Sequence, residues 1–377
     1  MRPHFRLVLT SPALSVRLLL LLGLTLAASP GIAQAPPCQP CAGVRVADPA
    51  AVVERLAAEP RLAEESRLYV VWELAPEAGV DAGAVRAVVE AGGTPWVVVP
   101  FSTPAPLLEH LPRLEAELRA LADIARQMGR GAHVQIDWRP PGVESSPPAA
   151  DYAFLIKRAA VAVTGASADA RVLVGPLLPD PVHLRDLYAE EVAAYVDGVA
   201  FSSPDGPRGE ALVASLEMLR QLDPGRPAIL DALPLPEPAD LALARAASAS
   251  ETGIAVTLFE VEPGSDLAPL KLLAREFSGD LSLDPYSVPM GGVEAWSFVR
   301  GEDLSLQVLV EVEPDRDEVV LEFAEAQLRD PRRVLPDGSE IPPALRAGDA
   351  TRSGLGRAPT WRRPSSPKSW RSRSSPA

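Results

Sequence analysis

The sequence has few of the residues that build metal centres or disulfide scaffolds. Its 377 residues include 2 cysteines and 4 histidines. Two cysteines exclude a disulfide-dense scaffold, and the histidines lie far apart without metal-ligand spacing. Gly-rich phosphate loops, nucleophile elbows, zinc-protease motifs and calcium-binding loops are also absent. We therefore predict a protein without a metal and without a cofactor.

Positive charge is scarce in the body of the chain. Residues 1–35 contain three arginines and no acid, and residues 344–377 contain eight basic residues and one acid. The net charge of −14 therefore conceals a middle segment that carries −24. The phosphates of nucleic acids bind to basic surfaces. A middle segment as acidic as this one therefore excludes nucleic acid as a partner.

The first 35 residues have the pattern of a secretory signal peptide. Arg2, Arg6 and Arg17 precede the apolar run 18–27, and the small-residue exit Ala33-Gln34-Ala35 follows. A membrane anchor is the alternative, but the apolar run is shorter than the roughly 20 residues that a bilayer span needs. We predict a cleaved signal at 1–35, a secreted or periplasmic protein, and no membrane span after cleavage.

A short cysteine-containing segment comes next. Cys38 and Cys41 form a Cys-x-x-Cys pair that Pro37 and Pro40 interleave. In an exported, proline-rich linker this spacing favours a small structural disulfide over a redox catalyst. We predict a linker over residues 36–43 that contains a Cys38–Cys41 disulfide.

After the linker, short apolar runs alternate with helical patterns. The predicted strands are residues 44–47, 67–74, 94–101, 133–139, 171–178, 196–203, 227–235 and 253–261. Near-continuous apolar runs are typical of parallel strands covered on both faces. Eight such units over residues 44–277 predict a (β/α)8 barrel. An open doubly wound sheet is the competing fold, but the Gly-rich first turn that usually marks it is absent.

The pattern changes beyond the predicted barrel. Residues 293–300 alternate between small or apolar and larger or charged side chains, and residues 304–312 and 318–323 form further strand candidates between turn-like segments. We therefore predict a small antiparallel β-sandwich over residues 278–343.

Residues 344–377 are rich in Arg, Ser and Pro and lack periodicity. Such a composition predicts a disordered, solvated basic tail. The change from an acidic sequence is abrupt, so a shift of the reading frame is the alternative explanation.

Polar residues at the ends of the predicted strands are the candidates for function, because barrel chemistry lies where the strands end. The candidates are Trp72, Glu73, Asp137, Trp138, Arg139, Ser202, Asp231 and Glu260. Paired carboxylates can hydrolyse glycosidic bonds, and sugar rings can stack on the faces of indole rings. Trp72 and Trp138 have an alternative role as core residues, and Glu73 and Glu260 as salt-bridged rim residues. This combination favours carbohydrate as the ligand.

Several segments resemble one family of enzymes. Residues 151–158 and 168–176 resemble the fourth helix and fifth strand of clan A glycoside hydrolases, and residues 195–201 and 225–231 resemble the sixth and seventh strands. Among the members of that clan, the sequence is most similar to the beta-xylosidase and alpha-iduronidase group. The resemblance covers residues 65–340 and implies a barrel followed by a sandwich.

The sequence departs from that family at the catalytic positions. The clan ends its fourth strand with Asn-Glu-Pro, where Glu is the general acid/base, and this chain has Trp138-Arg139-Pro140. Arginine cannot donate a proton usefully at neutral pH. Asp231 stands at the position of the nucleophilic Glu, one methylene shorter, so its reach is altered.

Three hypotheses follow for the function. The first is an exported, glycosidase-like barrel that binds carbohydrate at its mouth through Trp72, Trp138, Arg139, Ser202 and Glu260 without hydrolysing it. Arg139 would then pair with Asp137, with Asp231 or with a ligand carboxylate. The second is an active glycosidase that uses Asp231 with Asp137 or Glu73. The third is a non-catalytic envelope scaffold. The sequence leaves the sugar, the linkage and the oligomeric state open.

Overall fold

The structure is a computed structural model. It describes residues 41–57, 68–75, 78–129, 131–143, 146–235, 240–262, 265, 273, 281–283, 293–300, 305–312, 318–320, 333–334, 340–341, 344–346 and 358–362.

Eight parallel strands form a closed barrel in chain order, each hydrogen-bonded to the next and β8 to β1. The strands are β1 (Cys41–Val46), β2 (Tyr69–Glu73), β3 (Thr94–Phe101), β4 (His133–Trp138), β5 (Arg171–Leu177), β6 (Gly198–Ser202), β7 (Ala228–Pro234) and β8 (Val256–Val261). The helices between them are α1 (Pro49–Ala57), α2 (Ala82–Glu90), α3 (Leu111–Met128), α4 (Ala149–Ala166), α5 (Pro181–Ala189), α6 (Glu210–Leu222) and α7 (Asp240–Thr252). The prediction of a (β/α)8 barrel is confirmed.

The strands bury both of their faces, which explains their continuous apolar sequences. Alternate residues of each strand point to opposite sides. One set packs against the helices, as Val70, Val97 and Val99 do in the large outer core. The other set fills the barrel interior, as Val71 and Val98 do in a separate inner cluster.

The predicted strand positions agree with the observed ones to within three residues at each end, and β3 agrees at both ends. The starts of β1 and β8 each differ by three residues, and β1 begins at Cys41, inside the segment predicted to be a linker. Cys41 is buried and its backbone pairs with β8. The linker boundary at residue 43 is therefore corrected, because barrel closure extends this strand beyond its obviously apolar part.

Among the described residues that follow the barrel in sequence, the strands form three small antiparallel sheets. Their strands are β9 (Leu281–Leu283), β10 (Val293–Arg300), β11 (Ser305–Val312), β12 (Glu318–Val320), β13 (Arg333–Val334), β14 (Glu340–Ile341), β15 (Ala344–Arg346) and β16 (Ala358–Arg362). The sheet orders are β11-β10-β9, β12-β16-β15 and β13-β14. The antiparallel pairing of β10 with β11 runs over all eight residues of each strand. The packing of these sheets into a sandwich stays a prediction.

Two short strands, β15 and β16, lie within residues 344–377, which the sequence predicts to be a solvated tail. β16 pairs with β12 on one side and with β15 on the other, so the three strands form one sheet. The other residues of that segment, and residues 1–40 with the predicted signal peptide, lie outside the described part of the chain.

Candidate functional site

Five charged side chains form one continuous chain of ion pairs at the carboxyl ends of the barrel strands. Arg45 donates from Nη1 to Asp231 Oδ2 at 2.8 Å and from Nη2 to Glu73 Oε2 at 3.2 Å. Arg139 Nη2 lies 3.5 Å from the same Glu73 oxygen and also pairs with Asp137 Oδ2. The order is therefore Asp231–Arg45–Glu73–Arg139–Asp137, and we call these five residues the mouth cluster.

The mouth cluster lies inside the barrel, at the rim formed by the carboxyl ends of the strands. Arg45 and Asp231 come from β1 and β7, which are not neighbours in the sheet, and Glu73 and Arg139 come from β2 and the end of β4. Side chains of non-adjacent strands can meet in this way only across the interior. Because parallel strands end on the same side, this is the face where barrels of this kind carry their functional sites.

Asp231 is placed by an irregularity in its strand. The register between β7 and β8 shifts between Leu230 and Leu233, and Ala232 adopts a left-handed backbone with φ of 58°. A bulge of this kind re-aims a neighbouring side chain. The Asp231 side chain is fully buried, and its Oδ2 also accepts from Gln135 Nε2 at 3.3 Å. Its Oδ1 has no hydrogen-bond partner among the described residues.

Gln135 supports Asp231 from inside the barrel. It accepts a hydrogen bond from Trp96 Nε1 at 3.0 Å and donates to the carbonyl of Gly175 at 2.9 Å. Gly175 has a φ of 111°, and a Cβ there would lie 2.3 Å from the carbonyl oxygen of Ala200. Only glycine therefore fits this position, and its buried carbonyl fixes the amide that contacts Asp231.

Asp137 is also buried, with 4% of its side chain exposed. Burial raises the pKa of Asp137 from 3.8 to about 6, although Arg139 and Arg45 act in the opposite direction. The cost of desolvating the carboxylate therefore exceeds the benefit of its ion pairs.

Accessibility divides the mouth cluster into two levels. Asp231 and Asp137 have side-chain exposures of 0% and 4%, and Arg45 has 15%. Glu73 and Arg139 are 44% and 54% exposed. A ligand at the mouth would therefore meet Glu73 and Arg139, while Asp137 and Asp231 lie beneath them.

The structure brings three predicted catalytic carboxylates and Arg139 into one cluster. The predicted pairing of Arg139 is observed with Asp137. Asp231 pairs instead with Arg45, for which the sequence pattern predicts no role. Arg45 is a charged residue within an apolar strand, and it lies on the same face of the strand as Cys41. This signal can be recognised only when the strand is known to begin at Cys41.

The two tryptophans that were predicted to carry sugar rings do not face the mouth. Trp72 and Trp138 are 6% and 3% exposed and belong to the outer core between strands and helices. The Trp138 indole donates to the carbonyl of Thr103 at 2.8 Å and packs beside Tyr152 of α4. Their substrate-binding role is therefore corrected to the alternative core role, because strand alternation turns them away from Glu73 and Asp137.

The remaining predicted residues lie at the rim. Ser202 is half-buried and donates to the carbonyl of Leu177 at 3.4 Å. Glu260 is exposed and stands beside Arg45 in the β1–β8 register, without an ion pair among the described residues. Both side chains have access to a ligand at the mouth.

The opposite end of the barrel contains His133, which is partly buried. It stacks on Trp96 with ring centroids 5.6 Å apart and meets the edge of Tyr69 at 5.1 Å. Burial, together with Arg171, lowers the pKa of His133 to about 4. This histidine is therefore neutral at physiological pH and acts as a core residue away from the mouth.

Three other predicted features bear on the site. Within the described residues, no group of three or more His, Cys, Asp or Glu side chains is arranged to hold a metal ion. Cys41 is disulfide-bonded, whereas Cys38 lies outside the described residues, so their pairing stays a prediction. None of the described helices is both long and apolar enough to cross a bilayer.

The comparison with solved structures agrees with this architecture. No family model and no curated protein matches the sequence. Among solved structures, a family 30, subfamily 8 glycoside hydrolase, a xylanase from Clostridium acetobutylicum, is similar with a TM-score of 0.58 at 10% identity, over 87% of this chain and 93% of that chain. A glucosidase from Croceicoccus marinus gives a TM-score of 0.47 at 12% identity, over 83% of this chain and 82% of that chain.

The barrel therefore has a (β/α)8 fold similar to that of a glycoside hydrolase, which is the fold that the sequence resemblance implied. At 10% identity this similarity shows a shared fold. Function has to be argued from the residues of the mouth cluster.

Proposed function

We propose that the protein is an exported carbohydrate-binding barrel that does not hydrolyse glycosidic bonds. The observation that carries this proposal is the burial, in ion pairs, of the two carboxylates nearest the family's catalytic positions. Asp231 is fully buried against Arg45, and Asp137 is buried against Arg139. The fold, similar to that of a xylanase, supports a sugar as the ligand of the mouth.

Hydrolysis requires two carboxyl groups that touch the scissile bond from either side. A nucleophile or base must reach the anomeric carbon or its attacking water, and the Asp231 side chain has no exposed surface. Arg139 stands at the position of the family's proton donor and holds no transferable proton at neutral pH. These features together favour binding over turnover.

The test combines an activity assay with a binding assay on the same preparation. We expect no release of nitrophenol from a panel of aryl glycosides, and we expect neutral oligosaccharides to bind in isothermal titration calorimetry. Turnover that disappears in the Asp231→Asn variant would contradict the proposal. A contaminating hydrolase is recognised because its turnover would persist in that variant.

An active glycosidase remains the second candidate because one observation favours it. A carboxyl group with a pKa near 6 is suited to general acid catalysis, and burial gives Asp137 such a value. In this case the activity would require Arg139 to move away from Asp137. We would then expect turnover to fall as the pH rises above about 6 and to vanish in Asp137→Asn.

Export is the part of the proposal that depends on residues 1–35. Their basic start, apolar centre and small-residue exit support cleavage after Ala35. The test is expression in a secreting bacterial host followed by intact-mass measurement. A mature chain that begins at Pro36 is expected, and a cytosolic, uncleaved chain would contradict export.

A further inference from the structure

We propose that Glu73 and Arg139 form a clamp that binds two neighbouring hydroxyl groups of a neutral sugar and determines the ligand affinity of the mouth. This inference rests on the proposed carbohydrate-binding function and names the residues and the ligand chemistry that it would use. The clamp is the exposed level of the mouth cluster.

The two side chains are close together without being fully engaged with each other. Arg139 Nη2 and Glu73 Oε2 are 3.5 Å apart, longer than the 2.7–3.2 Å range of a good N–H···O hydrogen bond. Glu73 is 44% exposed and Arg139 is 54% exposed. A ligand hydroxyl can therefore approach both groups from the solvent side without first breaking a short hydrogen bond between them.

Buried partners hold both members of the clamp from beneath. Arg45, which is 15% exposed, donates to Glu73 at 3.2 Å and is itself fixed by Asp231. Asp137, which is 4% exposed, pairs with Arg139. Because these supports restrict the two longer side chains before a ligand arrives, less conformational entropy is lost on binding.

The chemistry of the clamp fits a pair of hydroxyl groups. A carboxylate only accepts hydrogen bonds and a guanidinium only donates them, whereas a hydroxyl group does both. One sugar hydroxyl can donate to Glu73 while its neighbour accepts from Arg139. Hydrogen bonds to charged groups are stronger than those between neutral groups, so each contact contributes to affinity.

The charge arrangement favours a neutral ligand over a charged one. Glu73 and Arg139 compensate each other at close range, so a ligand carboxylate would meet Glu73 and a ligand ammonium would meet Arg139. A charged ligand that is attracted by one member of the clamp is repelled by the other. A neutral sugar satisfies both members.

The first experiment measures binding to the full-length mature protein by calorimetry. The probes are xylotriose, cellotriose and mannotriose, with glucuronic acid and glucosamine as charged comparators. For the neutral probe that binds best, we expect Arg139→Gln and Glu73→Gln each to weaken affinity about tenfold or more, as loss of a hydrogen bond to a charged group predicts. Affinity should change little between low and high salt, because the ligand is neutral.

The chain supplies a matched control pair on its outer surface. Arg158 of α4 and Glu115 of α3 approach to 4.0 Å and are 52% and 56% exposed, close to the values of the clamp. Arg158→Gln and Glu115→Gln remove the same chemical groups away from the mouth. We expect both control variants to bind the probe as the wild type does.

A second experiment acts on the ligand, so that damage to the fold cannot imitate the result. Monodeoxy derivatives of the best probe remove one hydroxyl at a time. Removal of a clamped hydroxyl should weaken binding to the wild type about tenfold. The same removal should cost much less in Arg139→Gln or Glu73→Gln, because the partner is already gone.

The outcomes separate the clamp from the wider proposal. If neutral sugars bind and the clamp variants behave like the control variants, the clamp is overturned while carbohydrate binding stands. If only a charged comparator binds, with a strong salt dependence, the neutral-ligand inference is overturned. If no sugar binds the wild type, the proposed function and the clamp both fail.

Discussion

Replacing Asp137 with asparagine should remove a pH-dependent loss of stability that the buried carboxylate imposes on the fold. Burial raises the pKa of Asp137 from 3.8 to about 6. A shift of about two units corresponds to about 3 kcal/mol between the two protonation states, at 1.36 kcal/mol per unit. The Asp137→Asn variant stays neutral and cannot contribute this difference.

The sign follows from proton binding. Between pH 4 and pH 6 the folded state holds a proton on Asp137 that the unfolded state has already lost, so the free energy of unfolding falls as the pH rises. The wild type should therefore lose about 2–3 kcal/mol more than Asp137→Asn between pH 4 and pH 7.5. Urea denaturation followed by tryptophan fluorescence at several pH values measures this difference.

A surface variant provides the control for this titration. Asp123→Asn removes a carboxylate that is 61% exposed and pairs with Arg126 on α3. Its stability should follow that of the wild type to within about 0.5 kcal/mol. If the difference between the wild type and Asp137→Asn does not change with pH, the reasoning about the buried carboxylate is refuted.

Three further substitutions test how the barrel holds the mouth cluster, each by chemical denaturation. Arg45→Met should cost about 3–5 kcal/mol, because it leaves the buried Asp231 charge without its cation, and a second change, Asp231→Leu, should recover much of that loss. Ala232→Gly should stabilise the fold by about 1 kcal/mol, since glycine adopts a φ of 58° without strain, and a loss would refute the bulge. Gly175→Ala should destabilise by about 2 kcal/mol or more, because its Cβ would meet the Ala200 carbonyl oxygen at 2.3 Å; an unchanged midpoint would contradict this packing.

These predictions share one physical basis. The mouth cluster contains three carboxylates and two arginines, and its least exposed members are carboxylates. A buried ion pair repays little of its desolvation cost, so this chain of ion pairs contributes little net stability. In our proposal the buried pairs position Glu73 and Arg139 at the solvent-facing level.

The strand order and the strand positions could be predicted from the sequence because they depend on local patterns. The run at residues 94–101 is apolar on both faces, and a helical repeat follows it. Parallel strands that alternate with helices have few ways to bury such faces, so the closed barrel followed directly.

The grouping of Glu73, Asp137, Arg139 and Asp231 was also within reach of the sequence. Glu73, Asp137 and Arg139 lie at the ends of predicted strands, Asp231 lies within the seventh, and parallel strands end on one side of a barrel. That rule places residues at a rim, but it does not show which carboxylate meets which arginine.

The partners were decided by the tertiary structure. Closure of the barrel pairs β1 with β8. The Arg45 side chain on β1 therefore reaches across the interior to Asp231 on β7. Neither residue lies near the other in sequence, and the bulge at Ala232 that aims Asp231 carries no sequence signal.

The direction of the tryptophans was decided in the same way. Trp72 and Trp138 lie next to Glu73 and Asp137 in sequence, yet strand alternation sends the indoles to the helices and the carboxylates to the interior. The sequence by itself determined which elements form and the side of the barrel on which polar residues gather. Barrel closure decided which side chains touch, because a contact across the interior depends on strand register and on side-chain direction, and both are properties of the assembled sheet.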